Sequence, residues 1–218
     1  MKHYGITQPE IEEYVYSFVP PREGVLADME AHAEREGVPI IGPMAGHLIY
    51  TLAVALNAKE MLDVGTAIGY SAMWLAKAAQ KNEGRVVSIE KDESRAAWAE
   101  AYFRQAGMSG ICAVRRGDAL VLMRGMDEGF DLILLDILTQ FDRPDTSLEL
   151  LDLCVKRLKP GGVLLSDNAF RSGQVLTPEN AHPSTQGIAA FNKAIAAHPR
   201  LLSTIIPLRD GISMSVKI

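Results

Sequence analysis

The stretch Met61–Ser71, MLDVGTAIGYS, constrains the fold of this chain more than any other. Met61–Val64 is an apolar run long enough for one buried strand. Gly65 and Gly69 interrupt it, and Tyr70–Ala79 then reads as a helix. Strand, glycine turn and helix start together make a ligand-binding turn of an open α/β sheet, because glycine lets backbone N–H groups approach a ligand with no Cβ in the way. Gly65-Thr66-Ala67-Ile68-Gly69 is neither the G-x-G-x-x-G of a dinucleotide turn nor a phosphate loop ending in Lys-Ser/Thr. Asp63 closes the strand instead, and a carboxylate there repels phosphate and suits an ammonium group. A second acid, Glu90, ends the next apolar run, Arg85–Glu90, where it can accept both hydroxyls of a ribose.

A ligand with a ribose, an amino group and no phosphate describes S-adenosylmethionine (SAM). The turn resembles motif I of the class I SAM-dependent methyltransferases. The longer string LDVGTAIGYSA is similar to the small bacterial O-methyltransferases related to catechol and caffeoyl-CoA O-methyltransferases. The resemblance implies a Rossmann-like α/β fold with a seven-stranded, mostly parallel sheet in the order 3-2-1-4-5-7-6, the last strand antiparallel.

The rest of the chain fits that architecture. Residues 7–18 and 22–36 read as two helices, the first capped by Thr7 and the second closed by Gly37. Residues 37–46 read as a loop punctuated by Pro39, Gly42 and Pro43, followed by a buried helix over 47–57. Strands are expected over 59–64, 85–90, 111–116, 130–137 and 162–167, with helices over 92–106 and 146–158 among those between them. Short strand–helix alternation implies right-handed crossovers and a parallel sheet. Residues 201–208 and 212–218 are joined only by Arg209-Asp210-Gly211, so they form an antiparallel hairpin. A length of 218 residues suits one domain, with residues 1–57 a helical addition and 58–218 the core.

A net charge of −5 gives no electrostatic footprint for nucleic acid. Cys112 and Cys154 read as small buried residues rather than a disulfide or a nucleophile. No apolar run reaches membrane-spanning length, and the first 24 residues lack the apolar core of a secretion signal. The expected location is the cytoplasm.

In an open α/β sheet, ligands sit outside the carboxyl ends of the strands. The candidate residues are those at these ends. Asp63, Gly65, Thr66 and Gly69 follow the first strand, and Ser71 can donate to the SAM carboxylate with the helix N–H groups. Glu90 follows the second. Asp118 and Ala119 follow the third, the first to accept from the adenine amino group and the second to leave room for the ring. Asp136 follows the fourth strand, and Asp167-Asn168 the fifth. Two carboxylates and an amide oxygen make a hard oxygen site for Mg²⁺ or Ca²⁺, although Asp-Asn equally suits a plain turn.

The resemblance decides between these, since metal-dependent members of the family carry Asp after strand four and Asp-Asn after strand five. It implies a divalent metal, Mg²⁺ with Ca²⁺ or Mn²⁺ as alternatives, on Asp136, Asp167 and Asn168, and makes Asp136 the catalytic residue. It also places Ile41 beside the methionine part of SAM and implies a homodimer. One departure stands out. The family carries a lysine three residues after the strand-four Asp, and here that residue is Thr139. Residues 140–145 also lack the family's tyrosines. His47 and His182 are alternative base candidates, and Arg171 with residues 173–183 is expected to shape the acceptor pocket.

The expected activity is methyl transfer from SAM to a metal-chelated hydroxyl of a small catechol-like acceptor. An alternative is tRNA, because Gly37–Ile40 (GVPI) followed by LDVGTAIGYSA also resembles bacterial tRNA 5-hydroxyuridine methyltransferases of the same family. The acidic balance argues against it. A SAM-binding module without catalysis is a third reading, supported only by Thr139, and a dehydrogenase is a distant fourth.

Overall fold

A computed structural model of the chain describes residues 6, 8–137 and 144–218. Three helices come first, α1 (Pro9–Ser17), α2 (Val25–Glu36) and α3 (Gly42–Ala55). The sheet is then built from β1 (Glu60–Val64), β2 (Arg85–Glu90), β3 (Cys112–Arg116), β4 (Phe130–Leu135) and β5 (Leu158–Ser166). Between these strands lie α4 (Tyr70–Asn82), α5 (Glu93–Gln105), α6 (Ala119–Arg124) and α7 (Pro144–Arg157). After β5 come α8 (Pro183–Ala197) and the hairpin β6 (Leu201–Ile206) and β7 (Ile212–Lys217). The strand order is β3-β2-β1-β4-β5-β7-β6, with β7 antiparallel to both its neighbours, as the resemblance implied.

The central strands β1 and β4 are buried nearly throughout because both faces of the sheet are covered there, whereas the edge strands β3 and β6 are mostly half-buried or exposed. Strand alternation divides them between two cores. Met61, Leu132, Leu134, Val163 and Leu165 pack with the face that carries α2, α3 and α4. Leu62, Val64, Ile133, Leu135 and Leu164 pack with the face that carries α6, α7 and α8. Both cysteines are buried and free. Among the described residues no helix is long and apolar enough to cross a membrane.

Three boundaries differ from the sequence reading. Helix α3 starts at Gly42, inside the expected loop, because Pro43 sits in its first turn, where no N–H is needed. Pro160-Gly161-Gly162 does not end a helix but lies inside β5. The register jumps from Phe130↔Leu158 to Leu132↔Val163, so the extra residues form a bulge, which tolerates a proline and seats Gly161 at φ +76°. The expected loop over 173–183 contains two short 3₁₀ turns, Arg171–Leu176 and Pro178–Asn180. Thr7, read as a cap, lies outside the described residues.

Candidate active site

The chain order reverses across the sheet between β1 and β4, which opens a crevice at their carboxyl ends. A cavity of about 550 Å³ occupies it. One end is walled by the turns after β1, β2 and β3, and the other by the residues after β4 and β5, the β6–β7 turn and Pro39-Ile40.

The first end is built around Glu90. Its Oε2 accepts from the Ala67 N–H at 2.8 Å and its Oε1 from the Asp92 N–H at 2.9 Å. Two backbone donors thus fix the carboxylate while leaving each oxygen a lone pair for a diol. Gly117 and Ala119 line the same end. Asp118 caps α6 by accepting from the Val121 N–H at 3.2 Å.

Gly65 joins the two ends. Its φ is +93°, and a Cβ there would stand 2.2 Å from the carbonyl oxygen of Asp136. Only glycine lets the β1 turn lie directly against the end of β4. Asp63 is fully buried behind this turn and is not part of the cavity wall. Its Oδ2 accepts from the Thr66 hydroxyl at 2.5 Å, which ties the turn down from below. Burial pushes its carboxyl up to about 6, against the lowering effect of the Thr66, Ser71 and Ser88 hydroxyls. Thr66 and Ser71 are buried beside it. Gly69 caps α4 at φ +91° and lets α5 pack close, a Cβ there meeting Ala99 and Phe103 at 3.0 Å. Ile41 is buried in the core, and its neighbours Pro39 and Ile40 line the cavity.

The second end gathers Asp136, Asp167 and Asn168. The Asn168 side-chain amide donates to Asp136 Oδ1 at 2.9 Å, which turns the Asn168 carbonyl oxygen away from that carboxylate. Both acids are held above the ordinary carboxylate range. Burial is the main cause for each, and the negative charge of Asp167 adds to it at Asp136. Asp167 Oδ1 is buried with no hydrogen-bond partner. Among the described residues no three His, Cys, Asp or Glu side chains form a metal cluster, so any cation here would rest on two carboxylates and an amide. That donor set is all oxygen. Its charges repel one another, and one oxygen is unsatisfied, which is the chemistry a hard divalent cation relieves.

Sequence reasoning missed Arg209, Asp210 and Ser172. The sequence shows Arg209-Asp210-Gly211 only as the join of the hairpin, yet Arg209 and Asp210 line the cavity. Asp210 accepts from the Ser172 N–H at 2.5 Å, and the Arg209 guanidinium donates to the Ile40 carbonyl at 3.2 Å. Nothing local in the sequence distinguishes such a turn from an ordinary one. Arg171 does line the cavity and donates to the Ser184 hydroxyl at 3.2 Å. His182 instead caps α8, its Nδ1 accepting from the Ser184 N–H. His47 lies edge-on to Trp74 and tilted against Tyr50, and lines a separate, smaller cavity. Thr139 and residues 140–143 lie outside the described residues.

Comparison with known proteins agrees with this geometry. Residues 25–218 match the family model described as O-methyltransferase. A catechol O-methyltransferase from Niastella koreensis is 29% identical over 94% of this chain and 96% of its own. An O-methyltransferase from Bacillus cereus, solved in complex with SAH, superposes with a TM-score of 0.84 at 29% identity, covering 96% of this chain and 97% of that one. TomG from Streptomyces achromogenes, an O-methyltransferase solved with SAM, does so with a TM-score of 0.84 at 26% identity, covering 95% and 96%. The chain therefore belongs to the O-methyltransferase family, the SAM-dependent enzymes of catechol and caffeoyl-CoA type that the motif resemblance indicated.

Proposed function

We propose that this chain methylates one hydroxyl of a small catechol-like acceptor, held by a divalent cation on Asp136, Asp167 and Asn168. The observation that carries the reading is the raised, buried acid pair, with Asp167 Oδ1 unpartnered, at one end of a cavity whose other end is a fixed carboxylate suited to a ribose. Glu90 holds the ribose hydroxyls of SAM, and Ala119 leaves space for the adenine. The Gly65 turn, pinned by Asp63 and Thr66, brings the donor against Asp136. Asp167 and the Asn168 carbonyl complete the oxygen set on the acceptor side. A divalent ion bound there lowers the hydroxyl pKa of a chelating acceptor and fixes its direction. Ile40, Arg171 and Arg209 wall the acceptor end. Alignment of the acceptor oxygen with the methyl group supplies the rate, and no covalent enzyme intermediate is needed. Thr139 stands where the family carries a lysine, so that position offers no amine as a base, and a cation held by Asp136, Asp167 and Asn168 would supply the acidification instead. The exposed stripe of Ile11, Tyr14 and Val15 on α1 with Phe18 at its end supports a homodimer.

One assay tests the reading. Enzyme, Mg²⁺ and methyl-labelled SAM are incubated with a panel of catechols and with tRNA carrying hydroxylated uridines, with and without EDTA. The expected label is acid-soluble and disappears in EDTA. Label in the precipitate would replace the small acceptor with tRNA, and full activity in EDTA would remove the metal.

A further inference from the structure

Arg171 stands one turn past Asn168. Its backbone N–H donates to the main-chain carbonyl of Asn168 at 3.2 Å, closing a turn whose two ends lie within about 7 Å of each other. The turn is laced to the β6–β7 hairpin. The Ala169 N–H donates to the Gly211 carbonyl at 2.9 Å and the Phe170 N–H to the Asp210 carbonyl at 2.8 Å. Beyond Arg171, the Ser172 N–H donates to the Asp210 carboxylate. This lacing holds Arg171 at φ +49° and Ser172 at φ +53°, a conformation that such residues keep only where their surroundings impose it.

The side chain is set from one side. The Arg171 guanidinium donates to the Ser184 hydroxyl at 3.2 Å. Ser184 is buried at the start of α8 and is held in turn by His182, whose Nδ1 accepts from the Ser184 N–H and lies 2.8 Å from its Oγ. The hydroxyl gives its proton to that nitrogen and keeps a lone pair for Arg171. No carboxylate answers the charge. Among the described residues Arg171 forms no ion pair, and its Nε–H is buried without a partner. The half-buried Arg22 is the contrast, since its guanidinium is taken up by Glu30 and Tyr16. Arg171 nonetheless lines the cavity with Asp136, Asp167 and Asn168. The acceptor end thus offers an oriented cation with unused donors.

We propose that the acceptor carries a carboxylate in addition to its adjacent hydroxyls, and that Arg171 receives it. This rests on the acceptor site proposed above and narrows its ligand to an aromatic diol acid. A guanidinium presents planar, paired N–H groups that match the two oxygens of a carboxylate. An unpaired charge in a partly closed cavity is costly. A ligand carboxylate removes that cost, whereas a neutral acceptor leaves it in place, and selectivity follows from the difference. Arg171 is therefore a specificity-determining residue that touches no reacting atom.

The test compares 3,4-dihydroxybenzoate with 3,4-dihydroxybenzamide, which share a shape and differ in charge. Calorimetry on the protein saturated with SAH and Mg²⁺ gives the Kd of each, and a methyl-transfer assay with SAM gives the two kcat/KM values. Wild type is expected to prefer the acid about tenfold by both measures. R171Q, which removes the charge, is expected to bring the ratio to about one. R171K, which keeps the charge and loses the fork, should fall between them. Thermal melts and SAH binding check that each variant is folded. A wild-type ratio of one or below, or a preference that R171Q leaves unchanged, overturns the proposal while leaving the acceptor site in place. Failure of both probes to bind wild type, with SAH bound, removes the acceptor site and the proposal together.

Discussion

The two ends of the cavity are built on opposite physical terms. At the Glu90 end the carboxylate accepts from two backbone N–H groups, and one non-glycine residue there, Ala67, has positive φ. At the Asp136–Asp167 end two acids sit above their ordinary range, a buried oxygen has no partner, and Asn168, Arg171, Ser172 and Arg209 all hold positive φ. The Glu90 carboxylate is a finished socket that binds by offering preset partners, while Asp63 beneath the joining turn is likewise raised by burial and has a buried oxygen without a partner. The second end is held in an unfavourable state that a ligand improves. Binding asks only for complementarity, whereas chemistry on the acceptor asks for charge waiting to be neutralised, and that charge has a cost in the folded state.

The largest effect should come from separating the two ends. Asp167→Ala is expected to lower turnover at least about 100-fold, while calorimetry finds SAM affinity within about twofold of wild type. A parallel loss of both would mean that the ends are one unit and the comparison is wrong.

Stability comes next. The Asp136 carboxyl is raised above the ordinary aspartate value of 3.8 by burial and by Asp167. Between about pH 4 and its raised value the folded chain therefore binds more protons than the unfolded chain, so its stability falls as pH rises through that window. Asp136→Asn removes the charge and keeps an oxygen for Asn168 to donate to. In EDTA near pH 8 it is expected to be more stable than wild type by on the order of 2 kcal/mol, and near pH 4 the two should converge. Urea denaturation at the two pH values reads this, and a variant less stable at the higher pH would show that the acid end is not held in tension.

The smallest effect belongs to the satisfied end. In Glu90→Gln a side-chain NH₂ must face a backbone N–H, so SAM affinity should fall about tenfold with turnover at saturating SAM nearly unchanged. Turnover collapsing at unaltered affinity would assign Glu90 to the chemistry instead.

The same contrast explains what could be read in the chain. The Glu90 end was legible because strand, glycine turn and helix start are consecutive in sequence, and Glu90 ends the very next strand. The acid triplet was legible only as residues at strand ends, and its meaning came from resemblance. The Arg209 clasp was not legible at all. Its partner Ile40 is 169 residues away in sequence, and no local pattern records a contact of that span.

Sequence alone determined which strands form and the glycine turn after β1, because apolar runs and glycine's access to positive φ are local properties of residue type. Only the tertiary structure decided that Asp63 supports the turn from behind, that Ile40 rather than Ile41 meets the cavity, and that a hairpin arginine lines the cavity with Asp136 and Asp167. Those facts depend on where side chains from distant segments point once the sheet has brought the strand ends together, and the electrostatics follow from that proximity and not from the order of residues.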